Sequence, residues 1–252
     1  MSYQTRIYSN YASVMQDADE TFAEAAAAKW GKAYRHYLRD WLPADKEAVI
    51  VDLACGGGTL LYFFRELGYI NLQGVDLSPS QVRLAKQVVP NVQEADLFDF
   101  LQAHPLEFDL ITGLDIIEHL SKDNVLDFLD ACHEALKPGG RIVLQTPNAE
   151  SPWGSALRYA DFTHEVSFTP GCLCRLLSLC AFEHILAREL GPVARGYSMA
   201  STLRHILWCC LRSSLRLWNR IETGMPGSGI FTRVFIISAC KSVSQSCGKH
   251  SS

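Results

Sequence analysis

Residues Val49–Leu61 read VIVDLACGGGTLL, and this stretch decides the fold. A β-branched run is followed by an acid, a turn of small residues and an apolar helical pattern. That order is typical of a buried strand, a tight loop and the start of a helix. Gly56, Gly57 and Gly58 have no side chains, so the backbone of the loop can approach a ligand closely. Because the following helix also offers unpaired N–H groups at its N-terminus, the stretch predicts a loop that binds a nucleotide-like cofactor.

Strands alternate with helices from this stretch to residue 146. The predicted strands are 48–53, 72–76, 91–95, 108–112 and 141–146. The predicted helices between them are 59–67, 80–88 and 123–136. This alternation predicts an α/β fold whose strands form a parallel sheet with right-handed crossovers. The later part of the chain adds a predicted helix at 169–179 and predicted strands at 183–190 and 231–240.

Length and composition favour one globular domain. The chain has 252 residues, of which 48% are hydrophobic and 20% charged, which is enough for a sizeable core. We predict a single domain over 1–252, with an N-terminal helical lid at 1–45 and an insertion at 191–229 between the last two strands. Within the lid, one helix is predicted from Thr21 to Leu42. The net charge of −4 gives no electrostatic basis for binding nucleic acid, so no such partner is expected.

The sequence favours a cytoplasmic location. Residues Met1–Asp19 lack a basic segment followed by an apolar run, so no signal peptide is expected. No stretch approaches the roughly 18 apolar residues of a transmembrane helix. The nine cysteines form no CxxC pair, and we interpret them as reduced thiols.

Acidic residues follow three of the predicted strands. Asp52 precedes the glycines, whereas a dinucleotide fingerprint places glycine directly after the strand. Asp76 ends the second strand, where a carboxylate can accept both hydroxyls of a ribose. Asp96 follows the third strand, where it can contact an adenine edge. Since no phosphate-binding GxxxxGK[ST] motif is present, the expected ligand is a nucleoside with a small charged tail.

The run from Val49 to Thr146 resembles the class I S-adenosylmethionine-dependent methyltransferases. The matching pieces are VDLACGGGTLL, GVDLSPSQVRLA, EADLFDF, FDLITGLDIIEHL and LKPGGRIVLQTPN, in that order. The resemblance implies a Rossmann-like seven-stranded sheet, mostly parallel with the last strand antiparallel and with helices on both faces. It also implies a transferase that uses S-adenosylmethionine and releases S-adenosylhomocysteine.

The resemblance also implies which residues bind the cofactor. The segment from Asp52 to Gly58 would hold the amino-acid end, Asp76 the ribose hydroxyls, and the turn after the fourth strand would lie near the sulfonium. The full implied set is Asp52, Ala54, Gly56, Gly58, Asp76, Leu77, Asp96, Leu97 and Leu114. Ala54 departs from the pattern, because the family usually has its first glycine there.

Two histidines are candidate catalytic residues. Methyl transfer mainly needs in-line positioning, but an alcohol acceptor benefits from a base, and histidine suits that role at neutral pH. His119 ends the Asp115–His119 run, which is similar to that of ubiquinone-pathway O-methyltransferases. His164 is flanked by acids in the loop after the fifth strand, and it is the favoured base. Alternatives are a structural role for either histidine or a metal site with Glu118, although no metal is predicted.

Residues 203–221 predict a cationic amphipathic helix. At 100° per residue, one half is apolar, and His205, Arg212, Arg216 and Arg220 fall on the opposite half. One interpretation is a helix packed on the domain with a solvated basic face. The other is peripheral contact with an anionic membrane, at its inner face, or with a lipid-phosphate acceptor.

The favoured function is methyl transfer to a hydroxyl, on a sugar or a lipid-linked glycan. This acceptor class rests on a weaker resemblance of the later part of the chain to methyltransferases of bacterial glycan pathways. One alternative is a small-molecule O- or N-methyltransferase of quinone or secondary-metabolite type. The other is a non-catalytic or NAD-binding Rossmann-like protein. The oligomeric state does not follow from the sequence.

Overall fold

The computed structural model describes residues 21–193 and 197–243. One seven-stranded sheet with the order β3-β2-β1-β4-β5-β7-β6 forms its centre. The strands are β1 Ile50–Leu53, β2 Leu72–Asp76, β3 Val92–Glu94, β4 Phe108–Leu114, β5 Leu136–Pro147, β6 Phe182–Glu189 and β7 Val234–Lys241. All neighbours pair in parallel except β7, which runs antiparallel to both β5 and β6. The predicted Rossmann-like sheet with an antiparallel last strand is confirmed.

Eight α-helices surround the sheet within the described residues. They are α1 Glu24–Tyr37, α2 Thr59–Glu66, α3 Pro79–Ala85, α4 Leu97–Ala103, α5 Lys122–Ala135, α6 Gly154–Arg158, α7 Pro170–Leu179 and α8 Met199–Thr223. Two apolar cores lie on opposite faces, because successive strand side chains alternate in direction. Ile111 of β4 packs with α4, α5 and α7, whereas Leu110 packs with α1, α2 and α3.

The strand order places the functional site. From β1 the sheet continues through β2 on one side and through β4 on the other. Ligands of open α/β sheets bind outside the carboxyl ends of the strands at such a reversal. The loops after β1, β2 and β4 all leave the sheet at that edge.

The structure corrects two predicted boundaries and adds a helix. The helix predicted from Thr21 ends at Tyr37 rather than Leu42, and residues 1–20 of the predicted lid lie outside the described residues. Helix α4 was not predicted, because its seven residues are too few to show a helical period. The fifth strand begins at Leu136 rather than 141, with an irregularity opposite β4.

Gly139 and Gly140 belong to that irregularity. A Cβ on Gly140 would lie 2.8 Å from the carbonyl oxygen of Lys137 and 3.0 Å from that of Phe108. Glycine here permits close backbone approach within the sheet rather than ending the element.

The helices contain no apolar stretch that could span a bilayer, within the part of the chain that the structure describes.

Candidate active site

The loop after β1 adopts the left-handed backbone that its small residues permit. Ala54, Gly56 and Gly58 have φ values of +52°, +51° and +86°. A Cβ on Gly57 would lie 2.7 Å from Cδ2 of Leu84, so α3 packs directly on this loop. A Cβ on Gly56 would meet only Oε1 of Gln81, at 3.8 Å, so the backbone is open to a ligand at that point.

Two adjoining cavities lie around this loop. The first, of about 1000 Å³, is bounded by the loop, the end of β4 and helix α1. The second, of about 840 Å³, extends along the loops that follow β2 and β3. Both are lined by Ala54, Gly56, Gln81, Leu114 and Asp115. An elongated ligand can therefore occupy both cavities across Gly56 and Leu114.

Eight of the nine predicted cofactor residues line these cavities, and Gly58 does not. Asp52 lies in the first cavity, Ala54, Gly56 and Leu114 lie in both, and the second contains Asp76, Leu77, Asp96 and Leu97. A Cβ on Gly58 would lie 3.1 Å from Cα of Ala85. Gly58 thus faces α3, and its role in the structure is to close the turn that begins α2.

Asp76 holds the glycine loop in place. Its Oδ2 accepts a hydrogen bond from the backbone N–H of Gly56 at 2.9 Å, and its Oδ1 accepts from that of Ser78 at 2.8 Å. Burial raises the pKa of this carboxyl, while these backbone hydrogen bonds oppose the increase. Each carboxylate oxygen can accept more than one hydrogen bond, so the group can also bind ribose hydroxyls.

Asp52 is buried beside the first cavity. Its partner Thr112 lies directly opposite it on β4 and donates a hydrogen bond to Oδ1 at 2.7 Å. Burial raises the pKa of Asp52 to about 7, and the charge of Asp76 adds to the increase. A cationic ligand group nearby would favour the charged carboxylate.

Asp96 has a structural contact as well as a place in the second cavity. Its Oδ1 accepts from the backbone N–H of Phe98 at 2.8 Å, which caps the N-terminus of α4. The helix that was not predicted therefore depends on a residue that was singled out for cofactor binding.

Two residues that the sequence did not predict line the first cavity, Tyr34 on helix α1 and Gln145 on β5. The hydroxyl of Tyr34 donates a hydrogen bond to Oε1 of Gln145 on β5. Nε2 of Gln145 in turn donates to Oδ2 of Asp115 at 2.7 Å. Trp30 stacks on Tyr34 with ring centroids 3.6 Å apart. Tyr34 and Gln145 are far apart in sequence, and no local motif marks either of them.

The two candidate histidines lie side by side. The carbonyl oxygen of Glu118 accepts hydrogen bonds from the backbone N–H groups of Glu165 and Val166, at 2.8 and 3.1 Å. These bonds attach the loop after β5 to the short 3₁₀ helix that carries His119. The ring centroids of His119 and His164 are 4.7 Å apart, and both rings line the second cavity.

The hydrogen bonds assign the tautomers of both rings. Thr163 donates its hydroxyl proton to Oδ1 of Asp161 at 2.7 Å, so it accepts from Nδ1 of His119 at 2.8 Å. Nδ1 of His164 donates to the carbonyl oxygen of Leu157 at 3.0 Å. With the proton on Nδ1, Nε2 of each neutral ring has a free lone pair. Burial lowers the pKa of His119 to about 4, and the neighbouring His164 lowers it further.

Glu118 adds a buried carboxyl to the histidine pair. Its Oε2 accepts from Thr146 at 3.0 Å, and Oε1 has no partner among the described residues. Burial raises the pKa of Glu118 to about 8. Ligand atoms of Glu118, His119 and His164 all lie within 4.8 Å of one another, so these three residues could hold a metal ion.

The cavities suit S-adenosylmethionine in shape and in chemistry. The backbone at Gly56 is open to a ligand, the Asp52 carboxyl can face an ammonium group, and Asp76 can accept hydrogen bonds from ribose hydroxyls. The family model described as "Methyltransferase domain" matches residues 22–190, which is more than half of the chain.

Curated relatives and a solved structure agree with that match. The chain is 27% identical over 209 residues to the mitochondrial ubiquinone biosynthesis O-methyltransferase of Schizosaccharomyces pombe, covering 74% of this chain and 67% of the relative. It is 32% identical over 185 residues to the ubiquinone biosynthesis O-methyltransferase of Dechloromonas aromatica, covering 62% of this chain and 78% of the relative. In relatives of the same description from Xanthomonas euvesicatoria and Xylella fastidiosa, the alignment spans only 44% and 42% of their length.

The fold matches a crystal structure of a SAM-dependent methyltransferase from Archaeoglobus fulgidus. The TM-score is 0.62 at 21% identity, and the match covers 95% of this chain and 100% of that one. At that identity the likeness shows the fold alone. With the family match over residues 22–190, the chain belongs to the methyltransferase domain family, and it is an S-adenosylmethionine-dependent methyltransferase.

Proposed function

We propose that the protein methylates a hydroxyl group of a sugar or a lipid-linked glycan, with His164 as the base. The observation that carries the proposal is the histidine pair, whose free Nε2 atoms line the same cavity as Leu114 and Asp115. A hydroxyl placed between Nε2 and the end of β4 would have an acceptor for its proton.

The sulfonium of the bound cofactor supplies an activated methyl group. The residues of the chain bind and orient the acceptor and remove a proton from its hydroxyl. His164 suits proton removal better than His119, because the pKa of His119 near 4 makes it a weak base. His119 is held by Thr163 and Asp161, and we assign it the role of positioning His164 and the acceptor.

A quinone or secondary-metabolite acceptor is the second candidate. The relatives favour it, since those proteins are ubiquinone biosynthesis O-methyltransferases. The match to the methyltransferase family argues against the remaining alternative, a non-catalytic or NAD-binding protein.

An acceptor screen separates the two classes. The protein would be incubated with S-adenosylmethionine labelled in its methyl group and with free sugars, lipid-linked glycans and catechol-type quinone precursors. Label in a glycan hydroxyl supports the proposal, and label only in the quinone precursors replaces it with the second candidate.

Substitution of the histidines tests the base. His164→Ala is expected to lower kcat about 100-fold, while the Kd of S-adenosylhomocysteine changes little. His184→Ala, on the exposed side of β6, is the control and should retain wild-type turnover. If His164→Ala turns over like wild type, His164 is not the base.

Chelation tests the metal alternative at the same residues. We expect turnover to persist after dialysis against EDTA. Loss of turnover that is restored by a divalent cation would assign Glu118, His119 and His164 to a metal site instead.

We further propose that α8 contacts an anionic membrane surface through its apolar face. That face points away from the domain: Leu207, Trp218 and Ile221 are 61%, 68% and 77% exposed. Patches of this kind are uncommon on monomeric proteins unless they bind something. Arg220 of the same helix is exposed, so that it would meet anionic head groups.

The other face of α8 is tied to the domain by polar groups. Trp208 and Arg212 donate to Oε2 of Glu189 at 3.2 and 2.7 Å, and His205 donates to the carbonyl oxygen of Pro192 at 2.9 Å. The helix therefore contacts the domain through part of its basic face, and the prediction of a solvated basic face is wrong at His205 and Arg212.

Co-sedimentation with vesicles tests the membrane contact. Wild type should sediment with vesicles that contain phosphatidylglycerol, and Leu207→Glu or Ile221→Glu should remain in solution. Leu179→Glu, an exposed leucine at the end of α7, is the matched control and should sediment. If the α8 variants sediment normally but lose a dimer seen by light scattering, the face binds a second copy and the proposal fails.

A further inference from the structure

A third cavity lies beside the C-terminal end of α1. It has a volume of about 530 Å³ and lies between α1, the turn after β5, the start of α8 and the residues before β7. Tyr34 of α1 lines the first cofactor cavity and Tyr37 lines this one. Trp153 lines it from the loop that also carries His164. It is therefore separate from the cofactor site but built partly from the same elements.

Two arginines give this cavity a positive charge. Arg204 comes from the first turns of α8, and Arg233 directly precedes β7. The described residues that line the cavity include no aspartate or glutamate. Among the described residues, neither guanidinium has an ion-pair partner. Two unneutralised cations beside one cavity repel each other, and an anion bound between them would remove that repulsion.

One arginine of α8 does have an acidic partner. Arg212, two turns along the helix, is paired with Glu189 at 2.7 Å. Arg204 forms no ion pair within the described part of the chain, although it lies close enough to Tyr37 to lower the pKa of that hydroxyl against the larger effect of burial.

Aromatic side chains form the remaining walls. The indole of Trp208 donates to Glu189 and the hydroxyl of Tyr37 donates to the carbonyl oxygen of Gly191, so their polar atoms are already satisfied. Trp153 lies under Arg233, with the guanidinium carbon 5.8 Å from the ring centroid. Faces of this kind pack against sugar rings or bases, whereas guanidinium groups bind phosphate oxygens.

We propose that this cavity is a binding site for a phosphate or diphosphate group carried by a sugar or nucleoside. Arg204 and Arg233 bind the phosphate oxygens, and Trp153 packs against the attached ring. The proposal is compatible with a phosphorylated glycan as acceptor, but the binding is a property of this cavity and can be measured without methyl transfer.

Titration with inorganic pyrophosphate tests the arginines. Binding would be followed by calorimetry and by tryptophan fluorescence, since Trp153 and Trp208 line the cavity. Saturable binding is expected, and Arg204→Gln and Arg233→Gln should each weaken it at least about tenfold. Arg220→Gln, an exposed arginine of α8 outside the cavity, is the matched control and should bind like wild type.

A second titration, with uridine diphosphate, tests the aromatic wall. It should bind more tightly than pyrophosphate in wild type and lose that advantage in Trp153→Ala. S-adenosylhomocysteine should bind all of these variants normally, which shows that they are folded.

The absence of saturable binding to wild type would overturn the proposal. Equal loss in Arg220→Gln would also overturn it, because the effect would then be one of general surface charge. If pyrophosphate binds as expected but no hydroxyl acceptor is methylated, the proposed function fails while this site stands.

Discussion

At the scale of single residues, Asp76 is the group that we propose joins the cofactor to the loop that receives it. Its two oxygens accept from the N–H groups of Gly56 and Ser78, so the carboxylate fixes the backbone as well as facing the cavity. Hydrogen bonds to a charged group contribute about 1.5–3 kcal/mol each, which corresponds to roughly one to two powers of ten in a binding constant.

Replacing this carboxylate should weaken cofactor binding. We expect Asp76→Asn to raise the Kd of S-adenosylmethionine about 10- to 100-fold in a calorimetric titration. Asp99→Asn, an exposed acid of α4, should leave the Kd unchanged. A wild-type Kd for Asp76→Asn would remove Asp76 from the cofactor site.

The acidic residues that could be predicted share one property: they lie at or just after the carboxyl ends of strands. Asp52 and Asp76 lie within the last two residues of β1 and β2, Asp96 follows β3, and parallel strands bring such positions to one edge. Tyr34 and Gln145 could not be predicted, because the contact between them depends on how α1 lies across the sheet.

At the scale of elements, α1 is joined to the active site by a short chain of hydrogen bonds. Tyr34 donates to Gln145, and Gln145 donates to Asp115, which lines both cofactor cavities. Gln145 is itself buried, so removing the tyrosine hydroxyl leaves a buried acceptor without its donor.

Tyr34→Phe should therefore affect binding as well as stability. The expected results are a several-fold higher Kd for S-adenosylhomocysteine and a free energy of unfolding lower by about 1–3 kcal/mol. Tyr69→Phe is the control, since its hydroxyl donates to the carbonyl oxygen of Pro43 and neither residue lines a cofactor cavity. It should lower stability without changing the Kd. Normal binding by Tyr34→Phe would argue against the lid at 1–45.

Helix α8 shows what a periodic pattern leaves open. The pattern identified an apolar and a basic half, and the helix spans Met199–Thr223, close to the predicted 203–221. It could not show which half faces the domain. That is decided by Glu189 and by the carbonyl groups at 192–193, which bind the polar side.

At the scale of the whole molecule, buried titrating groups make stability depend on pH. The pKa values of Asp52 and Glu118 are raised to about 7 and about 8. Each acid therefore lowers the free energy of unfolding as the pH rises from its unfolded pKa to its folded pKa. The pKa of His119 is lowered to about 4, so its effect is to increase the free energy of unfolding as the pH rises from 4 to 6.5. Above pH 6.5 this contribution stays constant.

The free energy of unfolding should therefore fall between pH 6.5 and 8 in the protein without cofactor. Glu118 accounts for at most about 2 kcal/mol of this fall, since a slope of one proton is about 1.4 kcal/mol per pH unit. Urea denaturation at several pH values would measure it, and Glu118→Gln should flatten the curve above pH 7. Glu134→Gln, an exposed acid of α5, should not. A wild-type curve that rises over this range would contradict the burial of these carboxyls.

Much of the architecture could be predicted, because each strand is a short apolar run between turn residues. The alternation with helices then fixed parallel pairing as far as β5, and the resemblance supplied the antiparallel β7. Short helices such as α4 and the continuous β5 could not be predicted, since both depend on contacts across the fold rather than on a local period.

The most direct measurement is a crystal structure of the protein with S-adenosylhomocysteine. We predict the ribose hydroxyls on Asp76, the amino-acid end beside Asp52, and the sulfur near Leu114 with the histidine pair facing it. If the sulfur instead points away from His119 and His164, methyl transfer cannot take place at this pair, and the proposed active site is wrong.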